Sequence, residues 1–378
     1  MADLPRFRLL ETLAPTIPFE GLFGEKGKPY VANKHLVHAA NTALTLGMPL
    51  LVTGEPGCGK SDFAWAVANA LGHAWADPDP RRRKGPPQTC YVRSDTRARD
   101  LLYHYDALRR FGDAQGEQKA AAADPRNYIH LQPLGVALAQ PFEVIENAQG
   151  APSQVRPAVV LIDEIDKAPR DLPNDLLQEI DRKEFEITEI VERDDDGQDR
   201  VADPRTKIPL QRKMERFPDV RDPAVRARRA KIPSPFVIIT SNAERHLPEP
   251  FLRRCVFFQI PPPDELELIK IAEAYFSGDQ DGKLKLRTLL PKIVVSLRVR
   301  KDITKKPSTA EMLRWMEVVL GHYDRVDVER EFAPFAEALG GDARVLPASG
   351  KAQWHDLPGL GCLIKLGEDW GKLAPRAR

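Results

Sequence analysis

The sequence lacks the features that would place the chain in a membrane or in a secretory pathway. No apolar run approaches the roughly 20 residues that a membrane-spanning helix needs. The N-terminus, MADLPRFRLLETL, has no apolar core of the kind that a signal peptide carries. The four cysteines among 378 residues are scattered without metal-ligand spacing, which argues against a disulfide framework and suits a reducing compartment. We therefore expect a cytoplasmic protein without membrane contact.

A charge excess is also missing. The formal net charge is +1, so no global field favours nucleic acid or a membrane surface. Two basic runs, Arg81–Lys84 and Arg226–Lys231, are more typical of solvated loops than of binding sites. With 42% hydrophobic and 29% charged residues, the composition is that of a globular protein, and the length allows two domains.

The strongest positive signal is the stretch GEPGCGKS, which fits the phosphate-binding pattern G-x-x-x-x-G-K-[ST]. An apolar run of strand type precedes it and a helical run follows it, which is the context that the motif needs. Glycines let the backbone curl so that its N–H groups converge on an anion, and the following helix adds its positive end. Lys60 is expected to reach the β- and γ-phosphates, and the Ser61 hydroxyl to hold Mg²⁺. The predicted nucleotide-binding residues of this loop are Gly54, Glu55, Pro56, Gly57, Cys58, Gly59, Lys60 and Ser61.

A second signal is the acidic pair at the end of the apolar run in VVLIDEIDKAP. A near-continuous apolar run is typical of a strand buried on both faces, and ligands bind beyond the carboxyl ends of such strands. Asp163 can accept a water of Mg²⁺, and Glu164 can act as a general base that activates water against a γ-phosphate. Surface carboxylates that merely end a strand are the alternative.

A third signal is FVIITSNAE, in which another buried strand ends at polar residues. The amide of Asn242 could orient the attacking water or touch the γ-phosphate. Alternatively, Asn242 could simply cap the following turn.

The fourth signal is the pair Arg253–Arg254 in LPEPFLRRCVFF. An arginine supplied by another subunit can stabilise charge on a transferring phosphoryl group. A solvated pair or an ion pair within the chain is the alternative.

Strands alternate with helices as far as Ile260, and after three consecutive prolines the pattern is helical only. This order predicts an α/β core with a parallel sheet flanked by helices, followed by an α-helical domain. We expect an irregular N-terminal segment over 1–30, a core over 31–262 and a helical lid with a tail over 263–378. A charged insertion is predicted at 194–232, and the alternation in KEFEITEIV, 183–191, suggests a hairpin.

In this order and spacing, the four signals resemble the AAA+ ATPases and, within them, the MoxR family, over roughly Leu9–Leu320. GEPGCGKS resembles Walker A, VVLIDEIDKAP Walker B, and FVIITSN the sensor-1 strand. SDTRARDLLYHYDAL and LQPLGVAL are similar to MoxR segments between the Walker motifs. The segment EFEITEI is similar in place to the family's helix-2 hairpin insert, which tends to face the pore of a hexamer.

The resemblance implies an ATPase that uses ATP and Mg²⁺ in a homo-oligomeric, hexameric ring. Arg254 is then the better candidate for the arginine finger that acts on a neighbouring subunit, and Arg253 its neighbour. MoxR-like proteins act as chaperone-like remodellers of protein clients, with a partner that bears a von Willebrand factor A domain. Many relatives carry a sensor-2 arginine at the start of a lid helix; here Thr309 holds that position, and Arg314 lies further along.

Two other functions stay open at this stage. One is a nucleic-acid-associated motor on the same fold, in which the two basic runs would line the path of the strand. The other is a scaffold or sensor that binds ATP and assembles but hydrolyses little, which the missing sensor-2 arginine would allow.

Overall fold

The computed structural model describes residues 17, 22–24, 27–71, 87–143, 157–182, 185, 187–189, 191–193, 199–201, 234–277, 284–322, 325–339 and 353–373. The chain divides into two compact units. The first unit comprises 1–26, 32–53 and 61–259, and the second comprises 27–31, 54–60 and the chain from 260 onward. Both basic runs and most of the predicted 194–232 insertion lie outside the described residues.

The first unit is built on a five-stranded sheet with the order β2-β5-β8-β1-β9, in which every pairing is parallel. Its strands are β1 (Leu50–Thr53), β2 (Gln88–Tyr91), β5 (Val159–Asp163), β8 (Phe236–Ser241) and β9 (Val256–Gln259). The central strands β1 and β8 are buried along their whole length, as their continuous apolar sequences predict. Because all five strands are parallel, the residues that end β1, β5 and β8 share one edge of the sheet.

Helices surround this sheet: α1 (Lys34–Leu46), α2 (Lys60–Leu71), α3 (Ala98–Leu102), α4 (Ala107–Gln115), α5 (Lys119–Ala122), α6 (Pro133–Glu143), α7 (Leu172–Arg182) and α8 (Glu249–Leu252). The α1 helix begins where the sequence predicts, because the Asn33 side chain accepts the His35 N–H at 2.8 Å. It ends at Gly47, whose φ of 66° is the left-handed conformation that terminates helices. The predicted parallel α/β core is confirmed.

Of the hairpin predicted over 183–191, residues 183, 184, 186 and 190 lie outside the described residues, and the described residues before Val191 form no strand. Phe185 and Ile187 are buried, but they pack as irregular chain, and Glu189 accepts hydrogen bonds from Tyr103 Oη at 2.8 Å and Arg99 Nη1 at 3.0 Å. The alternation therefore reflects side-chain burial and not strand pairing. The antiparallel hairpin follows instead, between β6 (Val191–Arg193) and β7 (Asp199–Val201).

A second antiparallel hairpin was not predicted. It joins β3 (Tyr103–Tyr105) to β4 (Ile129–Leu131), and it encloses α4 and α5. The helix α3 ends at Leu102, and β3 begins at the next residue. The hairpin lies between α3 and α6, well before the EFEITEI segment for which the family resemblance implied an insert.

The second unit contains the four long helices α9 (Glu265–Tyr275), α10 (Leu284–Val299), α11 (Thr309–His322) and α12 (Arg325–Leu339) and the short helix α13 (Gly367–Leu373). Their presence agrees with the helical pattern that the sequence shows after the proline run. Trp315 of α11 is fully buried at the centre of their core and donates its indole N–H to Pro358 O at 2.7 Å.

The C-terminal segment, to which the sequence assigned no role, completes this helical core. Trp354, Leu360 and Leu373 are buried in the same cluster as α10 and α11. Asp369 of α13 is completely buried, and its carboxylate accepts the N–H groups of Thr304 at 2.9 Å and Lys305 at 3.0 Å. These N–H groups hold the pKa of Asp369 below its usual range.

Candidate active site

The glycine loop leads from β1 into α2, which begins at Lys60. Gly57 and Gly59 have φ angles of 76° and 93°, which glycine adopts without the steric penalty of a side chain. A Cβ atom at Gly57 would lie 2.8 Å from Ser308 Oγ, so the loop also needs glycine there for space. The conformation is thus the tight curl that the motif predicts.

Lys60 is buried, with its ammonium inside the curl of the loop. Its Nζ donates to Gly54 O at 2.9 Å and to Glu55 O at 3.0 Å. These bonds fix the cation before any nucleotide arrives, which lowers the ordering cost of binding. Burial raises the pKa of the neighbouring Cys58 thiol, with Lys60 opposing the rise, so this side chain stays neutral.

Two further groups hold the loop from outside, and neither carries a motif that predicts this contact. Tyr30 Oη donates to Gly59 O at 3.1 Å. The N–H of Ala310, in the first turn of α11, donates to Gly57 O at 3.1 Å. All of these residues belong to the second unit.

Within the first unit, the hydroxyl groups of Ser61 and Thr240 both contact one carboxylate oxygen of Asp163. Asp163 Oδ1 accepts hydrogen bonds from Ser61 Oγ at 2.8 Å and from Thr240 Oγ1 at 2.5 Å. No described residue donates a hydrogen bond to Asp163 Oδ2. Thr240 is fully buried and also accepts the Glu164 N–H at 2.9 Å, so it ties both acidic residues to β8.

Glu164 is held by two nitrogen donors. Asn242 Nδ2 donates to Glu164 Oε1 at 3.3 Å, and Lys167 Nζ contacts Glu164 Oε2 at 2.5 Å. The hydrogen bond to Glu164 raises the pKa of Lys167. Glu164 itself adopts the left-handed conformation, with φ of 60°, so the chain turns sharply after β5. The structure therefore brings together Ser61, Asp163, Glu164 and Asn242, as their positions in the sequence predict.

The two arginines lie apart from this cluster among the described residues. Arg254 Nε pairs with Asp181 Oδ2 at 2.8 Å, and Arg253 pairs with Glu249. Both side chains are largely exposed. The Arg254 contact uses only Nε, which leaves the two terminal nitrogens of the guanidinium directed to no described partner.

In the second unit, the loop faces a small cleft that contains an arginine which sequence reasoning missed. Arg298, near the end of α10, donates from Nε to Pro307 O at 2.8 Å and from Nη2 to Thr309 Oγ1 at 3.4 Å. Burial lowers the pKa of its guanidinium, with Glu55 and Glu311 opposing the shift. Arg314 is exposed and is not among the lining residues. The cleft is lined by Glu55, Pro56, Cys58, Ile260, Pro262, Pro263, Arg298, Ser308 and Thr309.

Residues 49–255 match the AAA domain family of the dynein-related subfamily. The matched segment is more than half of the 378-residue chain. The chain belongs to this AAA family. The two-unit α/β and helical architecture is accordingly that of an AAA+ P-loop protein.

Solved structures with similarity to this AAA protein include a RuvB variant from Thermotoga maritima, at 14% identity and a TM-score of 0.35, covering 82% of this chain and 69% of that one. A katanin structure concerned with self-assembly shows 16% identity and a TM-score of 0.34, covering 86% and 80%. A chain of the E. coli MS115-1 HORMA:CdnC:Trip13 complex shows 13% identity and a TM-score of 0.34, covering 82% and 78%. At TM-scores this low, the family assignment rests on the family match alone. No curated protein matches the chain.

The described residues of this AAA domain fit a nucleotide and Mg²⁺. The loop combines glycines at positive φ angles with the buried Lys60 ammonium, and curled backbone N–H groups beside a cation are the chemistry that binds phosphate oxygens. Ser61 and Asp163 place a hydroxyl and a carboxylate side by side, which is the hard oxygen chemistry that Mg²⁺ prefers. Among the described residues, no helix is both long and apolar enough to cross a bilayer.

Proposed function

We propose that this AAA protein is an ATPase of MoxR type, which hydrolyses ATP to ADP and phosphate in a homo-oligomeric ring and uses the energy to remodel a protein partner. The observation that carries the proposal is the arrangement at the shared edge of the sheet. Ser61 and Asp163 lie next to each other, and Asn242 lies against Glu164, so the binding and water-activating groups form one connected set.

We assign a separate role in the reaction to each residue of the site. The Gly54–Gly59 loop binds the phosphates through backbone N–H groups, and Lys60 neutralises charge on the β- and γ-phosphates. Glu164 accepts a proton from the attacking water as a general base. Asn242 orients that water through its amide. Mg²⁺, held by the Ser61 hydroxyl and through water by Asp163, would supply neutralisation of the phosphate charge.

Two arginines complete the proposed site from different sources. Arg298 lines the cleft together with Glu55. It takes the role of the sensor-2 arginine, because Thr309 stands at the position where relatives carry that arginine. Arg254, whose terminal nitrogens face no described partner, acts on the nucleotide of a neighbouring subunit. We propose a hexameric ring with a protein client and a partner that bears a von Willebrand factor A domain, on the MoxR resemblance.

The central experiment is single-turnover phosphate release by the wild type, Lys60→Ala and Glu164→Gln. Lys60→Ala should lose ATP binding, because the buried cation inside the loop is gone. Glu164→Gln should still bind ATP but release phosphate about 10²- to 10⁴-fold more slowly, which is the usual contribution of a general base. Rapid release by Glu164→Gln would remove the proposed mechanism.

Mixed subunits test the action of Arg254 on a neighbour. Arg254→Ala and Glu164→Gln should each be inactive alone. Their mixture should regain part of the activity, because some sites then combine an intact Glu164 with an intact neighbouring Arg254. Arg253→Ala is the matched control, since its side chain pairs only with Glu249 among the described residues. A mixture no more active than either variant would count against the role in trans.

An ATP-gated scaffold or sensor is the second candidate, and one observation favours it. The start of α11 offers Thr309 and Ala310 where relatives carry an arginine, and the Ala310 N–H is bonded to Gly57 O. A wild type that binds ATP and assembles without phosphate release would establish this function. A nucleic-acid motor has no such observation in its favour among the described residues, since both basic runs lie outside them.

A further inference from the structure

Asp166 lies two residues beyond the proposed general base, in the short turn Ile165–Lys167 that follows β5. Its side chain is 3% exposed, although burying a carboxylate is costly unless hydrogen bonds satisfy it. Both oxygens are used: Oδ1 accepts the Asn242 N–H at 3.2 Å, and Oδ2 accepts the Glu244 N–H at 3.1 Å. Both contacts reach the loop that follows β8.

That loop has an unusual conformation. Ala243 has a φ of 59°, a left-handed conformation that is unfavourable for a residue with a side chain. Ser241 Oγ accepts the Ala243 N–H at 2.9 Å, so three successive N–H groups are bound by side-chain oxygens. The Asp166 carboxylate supplies two of these three acceptors, and it thereby offsets the strain in the loop.

The conformation of this loop decides where the Asn242 amide points. Asn242 Nδ2 donates to Glu164 Oε1 at 3.3 Å, and Asn242 is the residue proposed to orient water. The sheet itself fixes only the strand ends, whereas the carboxylate bridge fixes the backbone of Asn242. A displacement of about 1 Å in a positioning group can cost about 10²-fold in rate.

We infer that Asp166 is a positioning residue, which holds the Asn242 backbone through two N–H bonds so that the Asn242 amide faces Glu164. This inference rests on the proposed hydrolytic function. The opposing interpretation is a carboxylate that serves only the stability of the core.

The test is a double-mutant cycle on single-turnover hydrolysis with Asp166→Asn, Asn242→Ala and their combination. Asp166→Asn should slow hydrolysis by about 10- to 100-fold with ATP affinity unchanged. In the Asn242→Ala background the same substitution should have almost no effect, because the group that it positions is absent. Independent, multiplying effects of the two substitutions would overturn the inference.

Asp369→Asn is the matched control. Asp369 is also a buried carboxylate that accepts two backbone N–H groups, but it lies in the C-terminal part of the helical unit. It should lower thermal stability without slowing hydrolysis. If Asp166→Asn fails to fold, Asp166→Ser keeps one short acceptor at this position and enters the same cycle.

Amide hydrogen exchange separates this inference from the proposed function. In Asp166→Asn, exchange at the Asn242 and Glu244 amides should accelerate, while amides in the middle of β8 stay protected. Unchanged exchange at those two amides would overturn the positioning role even in a protein that hydrolyses ATP. A wild type that binds ATP without hydrolysing it would instead overturn the proposed function, and the exchange measurement would still decide whether Asp166 holds the loop.

Discussion

The carboxylate of Glu164 faces two nitrogen donors with different consequences for catalysis. The Asn242 amide is neutral and only orients the carboxylate, whereas the Lys167 ammonium forms an ion pair with it. An ion pair between exposed side chains contributes little to stability. Lys167 therefore restrains Glu164 without blocking it.

We predict that Lys167→Ala raises the hydrolysis rate by about two- to fivefold, because the loss of this weak ion pair leaves the Glu164 side chain freer to reach the attacking water. The measurement is the steady-state rate at saturating ATP. Arg170→Ala, which removes another exposed cation three residues further along the chain, is the control and should leave the rate unchanged. A slower Lys167→Ala enzyme would mean that the ion pair holds Glu164 in its reactive position.

Several residues of the site could be predicted from the sequence, and others could not. Asp163, Glu164 and Asn242 each follow a continuous apolar run, so the parallel sheet places them at one edge. Thr240, Asp166 and Lys167 carry no such signal, because their roles depend on which side chains meet across that edge. Arg298 was missed for a similar reason, since α10 brings it to the cleft from a position where the sequence shows only helical spacing.

At the scale of elements, the glycine loop is the clearest agreement between sequence and structure. Its motif requires glycine at Gly54 and Gly59, whose φ angles are 154° and 93°, and Gly57 supplies a third glycine with a positive φ at a position that the motif leaves open. The hairpin over 183–191 is the clearest error. Period-2 alternation indicates one buried face, but Phe185 and Ile187 bury that face in irregular chain, and no local pattern separates the two cases.

Gly57→Ala should sharply weaken ATP binding. The alanine would require a left-handed backbone, at about 1–2 kcal/mol, and its Cβ would lie 2.8 Å from Ser308 Oγ. Gly112→Ala is the control, since Gly112 lies within α4 with nothing within 4 Å of an added Cβ. That change should stabilise the helix by about 0.5–1 kcal/mol and leave binding unchanged. Titration with a fluorescent ATP analogue gives the comparison, and equal affinities for the two variants would contradict the prediction.

At the scale of the whole molecule, the helical unit is complete only with the C-terminal segment. Trp354, Leu360 and Leu373 belong to the buried cluster, and Asp369 binds the turn before α11. The sequence predicts the first three long helices, because each has apolar residues at helical spacing. It does not predict that the C-terminal segment packs into the helical core, since the residues of short 3₁₀ turns carry no periodic pattern.

Because the pKa of Asp369 is lowered, the stability that its hydrogen bonds give to the helical unit depends on pH. The carboxylate contributes stability that is fully present above its unfolded pKa of about 3.9 and is lost as the pH falls below that value. Asp369→Asn should therefore have a lower melting temperature than the wild type at pH 7, and the difference should shrink as the pH falls below about 4. Thermal unfolding followed by circular dichroism measures both curves. A difference that grew in acid would contradict the linkage.

The Arg254–Asp181 contact has a consequence for the speed and specificity of assembly. Because Asp181 binds only Nε among the described contacts, the protomer already restricts the rotamers of Arg254 while the two terminal NH2 groups of the guanidinium stay available. An arginine that acts on a neighbouring nucleotide then loses little conformational entropy when subunits meet. The planar guanidinium then has a fixed orientation and offers two parallel N–H donors to a phosphate, a geometry that a lysine cannot reproduce. In the proposed ring, recognition between subunits would thus be partly encoded inside each subunit before any contact forms.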